Sequence, residues 1–113
     1  MADNPNFPVA TAAVSWKDSG GAVHVRVYSC DGYTIIERCY DGSWTTSSFT
    51  APAEAVSATC WPNGNSASIR VYCTFQDKTV EWCQDDGGEW YQGAYTTVWW
   101  PLVPRFSSRC PSP

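Results

Sequence analysis

Val25-Arg-Val-Tyr28, followed by Ile36-Glu-Arg-Cys-Tyr-Asp-Gly-Ser-Trp44, is written a second time further along the chain. The second copy runs Ile69-Arg-Val-Tyr72, then Val80-Glu-Trp-Cys-Gln-Asp-Asp-Gly-Gly-Glu-Trp90. Arg26 maps to Arg70, Glu37 to Glu81 and Cys39 to Cys83, each with an offset of 44. A period of about 40–50 residues is that of one four-stranded blade in several propeller families. Such a unit cannot bury its own faces, so two of them do not make a complete folded object.

Each copy contains strand signals. Val23, Val25 and Val27 alternate with His24, Arg26 and Tyr28, placing the two sets on opposite faces of one strand. Asp31-Gly32 favours a two-residue hairpin turn. A turn centred there puts Cys30 opposite Tyr33 and Arg26 opposite Glu37, as a cross-strand pair. The second copy keeps the Arg-to-Glu separation across a different turn, Phe75-Gln-Asp-Lys78, so the spacing survives a change of turn. A shorter strand ending in Trp16 or Trp61 precedes each hairpin, and a strand running Trp44–Phe49 or Trp90–Tyr95 follows it. That predicts an all-β chain of two four-stranded blades, one over 10–50 and one over 51–96. The tail, 97–113, lies outside the repeat. A single helical turn is expected at most, at Ala51–Ala55, with Pro52 suited to a connector between blades.

The 113 residues include 7 Trp, 6 Tyr and 4 Phe, against only 16% charged residues. So many rings with so little charge imply that some rings pack and others face a ligand. A net charge of −4 argues against a nucleic-acid partner, which needs a basic footprint. No apolar run approaches the ~18 residues of a membrane span, so membrane insertion is not expected. The start of the chain, Met1-Ala-Asp-Asn-Pro-Asn-Phe-Pro8, lacks the basic and apolar segments of a signal peptide. That leads to the expectation of a soluble protein made in the cytoplasm, with any release by a non-classical route. Six cysteines (Cys30, Cys39, Cys60, Cys73, Cys83 and Cys110) are an even number, which hints at disulfides, including one holding the tail through Cys110. Cys39 and Cys83 are expected as buried free thiols among strand residues. Trp99 and Trp100 are expected to pack, and Pro101 and Pro104 disfavour a central strand there.

Arg-Val-Tyr, then Glu-x-Cys-x-Asp-Gly, then Trp, resembles the repeat of the fucose-binding six-bladed propeller lectins typified by Aleuria aurantia lectin. The two-repeat layout is similar to that of the short members such as Ralstonia solanacearum lectin. The resemblance covers about residues 10–96. It implies that three identical chains complete the ring and that fucose lies between neighbouring blades. It further implies an intra-chain site of Arg26, Glu37, Ser48, Gln84 and Trp90. An inter-chain site would combine Arg70, Glu81 and Ala94 with Tyr40 and Trp44 of another chain. The pattern usually has Trp at Gln84 and Tyr40; Gln84 removes a ring, so the Arg70/Glu81 site is expected to be the tighter.

The residue types suit a neutral sugar, which offers hydroxyls and C–H patches. A guanidinium supplies donors in a fixed fork, and a carboxylate accepts from two adjacent hydroxyls with charge-assisted bonds. Arg and Glu partner each other in the empty site. An indole covers the apolar side of the sugar and offers one N–H. An isolated cross-strand Arg–Glu pair is ordinarily a surface ion pair worth under about 1 kcal/mol; its repetition beside the same Trp sets this one apart. Trp16, Trp61, Tyr28 and Tyr72 read as packing residues and His24 as an ordinary strand residue. Enzyme chemistry is not expected. One histidine leaves little for a triad or a His-rich metal site, and Asp85 and Asp86 are turn neighbours with diverging side chains. No cofactor is called for. The alternatives are a protein-interaction module with an aromatic interface, or a propeller glycosidase fragment.

Overall fold

In the computed structural model, residues 8–97 are described; the expectations for Trp99, Trp100, Pro101, Pro104 and Cys110 lie outside them. Eight strands follow one another: β1 (Ala10–Lys17), β2 (Val23–Cys30), β3 (Thr34–Tyr40), β4 (Trp44–Pro52), β5 (Ala55–Asn63), β6 (Ser66–Phe75), β7 (Lys78–Asp85) and β8 (Tyr91–Thr96). They form two antiparallel four-stranded sheets, β1-β2-β3-β4 and β5-β6-β7-β8. This is the all-β, two-blade architecture that the repeat predicts. The helical turn at Ala51–Ala55 does not form: β4 runs through Pro52 and β5 begins at Ala55. Pro52 ends the outermost strand of its sheet, where the missing N–H costs no central ladder bond.

The register of the first hairpin differs from the one expected. The turn centres on Gly32 and Tyr33, not on Asp31-Gly32, so Cys30 faces Ile35, Arg26 faces Cys39 and Tyr28 faces Glu37. The cause is local. Asp31 accepts the amide protons of Tyr33 and Thr34 at 2.9 Å each, while Gly32 supplies the left-handed backbone (φ 96°). Asp31 is therefore the residue before the turn, bonding through an Asx motif, rather than its first central residue. The second hairpin turns on Gln76 and Asp77, both at positive φ, and places Tyr72 opposite Glu81 and Arg70 opposite Cys83. Arg and Glu still share a face in each blade, as diagonal rather than direct neighbours.

One face of the first sheet packs on the second. The core comprises Trp16, Tyr28, Cys30, Ile35, Phe49 and Ala51 from the first sheet and Ala67, Ile69, Val71 and Cys73 from the second, with Ala53 in the connector. Tyr28, Ile35 and Val71 are wholly inaccessible to solvent. Burying a side chain of this size contributes about 1.5–3 kcal/mol before entropy is counted. The rings interlock around Phe49: Trp90 stacks on it at 3.9 Å between centroids, and Trp82 and Tyr28 meet it edge-on. Cys30, Cys39, Cys60, Cys73 and Cys83 are all free thiols, four of them buried. For Cys39 and Cys83 this is the expected state. Burial, with Cys30 nearby, pushes the Cys73 thiol up to about 11.

Among the described residues, the other face of each sheet lacks such a cover. Val23, Ile36 and Trp44 are exposed on the first sheet, and Trp61, Tyr91 and Tyr95 on the second.

Candidate functional site

Strand alternation puts Arg26, Tyr28 and Glu37 on the face of the first sheet that meets the second. The Tyr28 hydroxyl donates to Glu37 Oε2 at 2.8 Å, and Arg26 Nε lies 4.0 Å from the same oxygen. The Ser47 hydroxyl donates to Glu37 Oε1 at 2.6 Å. Arg26 spends its other nitrogens on Asp41 (3.0 and 3.2 Å) and on the Val25 carbonyl at 2.9 Å. Its guanidinium also lies over the Trp16 ring, 4.9 Å from the centroid. Glu37 is only 2% exposed, and three partners offset the cost of burying its charge. Burial first, then the charge of Glu37, drives the Tyr28 pKa far above its usual range, so the hydroxyl is a permanent donor.

The second sheet repeats the core of this arrangement on its open face. Tyr72 donates to Glu81 Oε2 at 2.8 Å, and Arg70 donates to Asp85 at 2.9 Å and to the Ile69 carbonyl at 3.0 Å. Arg70 lies over Trp61 at 5.0 Å, as Arg26 lies over Trp16. The Tyr72 hydroxyl and then the Tyr95 amide hold the Glu81 carboxyl below the ordinary carboxylate range. Tyr91, then Arg70, draw Asp85 down to about 2.

The fourth strand of each blade is bulged opposite the glutamate. Ile36 pairs with Thr50 and Arg38 with Thr46, so Glu37 alone faces Ser47, Ser48 and Phe49. Val80 pairs with Thr96 and Trp82 with Gln92, so Glu81 faces Gly93, Ala94 and Tyr95. A bulge bends the strand and re-aims its side chains. In the first blade Ser47 reaches Glu37 and also accepts the Phe49 amide at 3.1 Å. In the second the hydroxyl is gone, and the Tyr95 amide donates to Glu81 directly at 3.1 Å. A Cβ on Gly93 would collide with Glu81 Oε1 and stand 2.7 Å from Cys83 Sγ.

Arg26, Glu37, Ser48, Gln84 and Trp90, the five residues expected for the intra-chain site, line one cavity of about 530 Å³. Trp90 is its aromatic wall, stacked on Phe49 and edge-on to Tyr28 at 6.3 Å. Gln84 is not a bare gap in that wall. Its side-chain amide donates to the Gly88 carbonyl at 2.9 Å and braces the loop before Trp90. The residues of the other expected site fall on two different open faces. Arg70 and Glu81 sit on the outer face of the second sheet, with Ala94 beside them on the bulged strand β8. Tyr40 and Trp44 meet on the first sheet, 5.4 Å apart, with Arg38 6.0 Å from the Trp44 centroid.

Sequence reasoning missed Tyr28, Tyr72 and Ser47 as partners of the carboxylates. The register would have found the tyrosines, since each stands directly opposite its glutamate. Trp16 is buried as expected for packing, whereas Trp61 is exposed. His24 is on a strand as expected, but it is pinned: Nδ1 lies 2.6 Å from Asp41 Oδ1 and Nε2 2.9 Å from Asp18 Oδ2, with Trp16 stacked on its ring. Hydrogen bonds to Asp18, then to Asp41, raise its pKa.

No protein-family model matches the chain, and no curated protein matches it. Solved structures do. A fucose lectin from Kordia zhangzhouensis, determined in complex with methyl-fucoside, is 39% identical with a TM-score of 0.66, over 83% of this chain and 71% of that one. A mutant of Aleuria aurantia lectin in complex with alpha-methyl-L-fucoside gives a TM-score of 0.62 at 24% identity, over 77% of this chain and 29% of that lectin. The same lectin with Fucalpha1-6GlcNAc gives 0.62 at 23% identity, over 80% of this chain and 31% of the lectin. The Aleuria comparisons speak for the fold, of which this chain spans under a third. The Kordia lectin is 39% identical over most of both chains, and on that likeness the chain belongs to the fucose-binding propeller lectin family.

Proposed function

We propose that the protein is a lectin for terminal L-fucose on glycans, acting without chemistry, and that three copies close a six-bladed ring. The observation that carries the sugar reading is the cavity between the sheets that holds Arg26 and Glu37. There a paired guanidinium and carboxylate face an aromatic wall, the combination that a deoxy sugar with hydroxyls on one side and a methyl group on the other requires. Arg26 would donate to ring and hydroxyl oxygens, and Glu37 would accept from adjacent hydroxyls. Trp90 would cover the methyl side. Fucose complexes of the Kordia and Aleuria lectins support the choice of sugar.

The open faces support the ring. Among the described residues, no second sheet faces Arg70 and Glu81 as a wall, and no carboxylate faces the rings of Tyr40 and Trp44. Stacking the first sheet of one copy on the second sheet of another would join them, and three copies give six blades, within the typical four to eight. The ring would carry up to six sites, so dense fucosylated surfaces would be held far longer than free sugar.

Two measurements test this. Light scattering should return three times the 12.5 kDa chain mass; a stable monomer overturns the ring, and a dimer points to four blades. Calorimetry with methyl-fucoside should show each of Glu37→Gln and Glu81→Gln silencing one class of site. Loss of a hydrogen bond to a charged group costs about 1.5–3 kcal/mol, roughly tenfold to a hundredfold in affinity. Undiminished binding by the double variant overturns the sugar reading.

A further inference from the structure

The two repeats differ in the loop between their third and fourth strands. Glu81 to Trp90 spans two positions more than Glu37 to Trp44, and the excess lies in Asp86-Gly87-Gly88-Glu89. The longer loop is held in place. Asp86 and Gly87 are both left-handed (φ 57° and 70°), and the Gly88 amide donates to the Asp85 carbonyl at 3.0 Å. The Asp86 amide donates to the Ala67 carbonyl at 3.0 Å, and Gln84 bonds the Gly88 carbonyl from the other side. A left-handed non-glycine residue costs free energy, which these bonds must offset. The loop they fix brings Gly87, Gly88 and Glu89 to the wall of the same cavity that holds Arg26 and Glu37.

We propose that this loop is a ledge for the saccharide unit attached to fucose, and that Glu89 is the residue that reads it. The proposal rests on the fucose reading of the Arg26/Glu37 cavity. That cavity, about 530 Å³ in volume, extends past the guanidinium and carboxylate to the loop. Glu89 is exposed at its edge, where a carboxylate accepts from a hydroxyl or an acetamido N–H and repels a carboxylated sugar. The matching turn of the first repeat cannot do the same. It is shorter, and its carboxylate, Asp41, is already committed to His24 and Arg26. The two classes of site would therefore seat the same terminal sugar but differ in what they accept behind it. On this account Gln84 replaces an aromatic residue because its amide is needed to brace the ledge.

The test uses the assembled protein and calorimetry. In the Glu81→Gln protein, which retains only the Arg26/Glu37 class, methyl-fucoside is compared with a panel of neutral fucosyl disaccharides that includes Fucα1-6GlcNAc. At least one disaccharide should bind more tightly than methyl-fucoside, and Glu89→Gln should remove that preference. The expected change is about threefold or more, for a charge-assisted hydrogen bond partly screened by solvent. Methyl-fucoside affinity should stay within about twofold, as it does not reach the ledge. In the Glu37→Gln protein, Glu89→Gln should change nothing. A preference that survives Glu89→Gln, a panel with no preferred disaccharide, or an equal loss for both sugars overturns the ledge. Absence of methyl-fucoside binding before any change at Glu89 would instead overturn the fucose reading itself.

Discussion

The two Arg–Tyr–Glu groups are copies in sequence but not in surroundings. Glu37 is 2% exposed beneath the second sheet, whereas Glu81 is half-buried on an open face; Trp16 is 8% exposed and its counterpart Trp61 46%. The Tyr-to-Glu bond is nevertheless 2.8 Å in both. Each blade therefore assembles its own guanidinium, tyrosine and carboxylate, and in the first blade the neighbouring sheet adds the aromatic ring of Trp90 and the exclusion of water. On the proposed reading, the second group would be a half-site preorganised before another copy covers it, which would lower the ordering cost of ligand binding.

The sharpest way to break the symmetry is at the bulge. Gly93→Ala should drive the Glu81 carboxylate from its seat and weaken the Arg70/Glu81 class by about tenfold or more, about 1.4 kcal/mol. Ser47→Ala should keep the Arg26/Glu37 class largely intact, since Tyr28 and Arg26 still hold Glu37. Titrations in the Glu37→Gln and Glu81→Gln backgrounds read the two separately. Equal losses from Gly93→Ala and Ser47→Ala would show that the two bulges are equivalent after all.

Removing the tyrosine hydroxyls should report the burial of each carboxylate. Tyr28→Phe leaves a buried carboxylate short of one donor and should cost about 1.5–3 kcal/mol of stability. Tyr72→Phe should cost as much in the closed ring, where another copy would cover Glu81, and well under that in a chain whose second face stays open to water. Chemical denaturation of the two variants, with the assembly state read by light scattering, checks this; a Tyr72→Phe loss that stays small in a trimer means the second face is not covered as proposed.

A smaller effect concerns the walls. Trp90 stands alone beside the braced Gln84, whereas Tyr40 and Trp44 offer two rings. Some 40 Å² of missing apolar contact corresponds to about 1 kcal/mol, or about fivefold. Methyl-fucoside should thus bind the Arg70/Glu81 class about fivefold more tightly. Comparable affinities in the two single-class proteins would show that the second ring adds nothing measurable to the wall.

The smallest effect is a pH dependence confined to the first blade, where His24 stands at the position occupied by Ser68 in the second. Both ring nitrogens of His24 face carboxylates, so the clamp to Asp18 and Asp41 is complete only in the imidazolium form. Its pKa is raised, chiefly by the hydrogen bond to Asp18, above the ordinary 6.5. The stability it lends is fully present below pH 6.5 and fades as pH rises through the raised value. Asp18 and Asp41 titrate in the opposite sense. Hydrogen bonds lower the Asp18 pKa, His24 first. For Asp41, burial pushes upward but the bonds to His24 and Arg26 prevail, so these contributions are lost only in strong acid. Melting temperatures of the natural protein and His24→Asn should converge as pH climbs. A gap that stays constant across that range would mean the clamp does not depend on the proton.

The strands were legible because the alternation at Val23–Tyr28 and its copy at Ile69 leave one choice of face. The register was not, because Asp31-Gly32 fits a turn at two centres, and only the Asx bonds from Asp31 select the later one. That slip of two residues kept Arg26 and Glu37 on one face, so both still line one cavity with Ser48, Gln84 and Trp90, which the resemblance supplied, but it hid that Tyr28 stands opposite Glu37. Ser47 was missed for a different reason: a bulge breaks the period on which such counting depends.

The same bulge has a consequence for how the protein can change. Residues 47–49 and 93–95 stand outside the regular ladder pairing of their strands. A substitution at 47, 48, 93 or 94 alters what stands opposite the glutamate while the core ring of Phe49 keeps its place, within the space each position allows. Ser47 in one blade and Gly93 in the other are already two solutions on one scaffold. The rim of each blade is in that sense an interchangeable part, and on the proposed reading sugar selectivity could be re-cut there while the interlocked rings around Phe49 stay as they are.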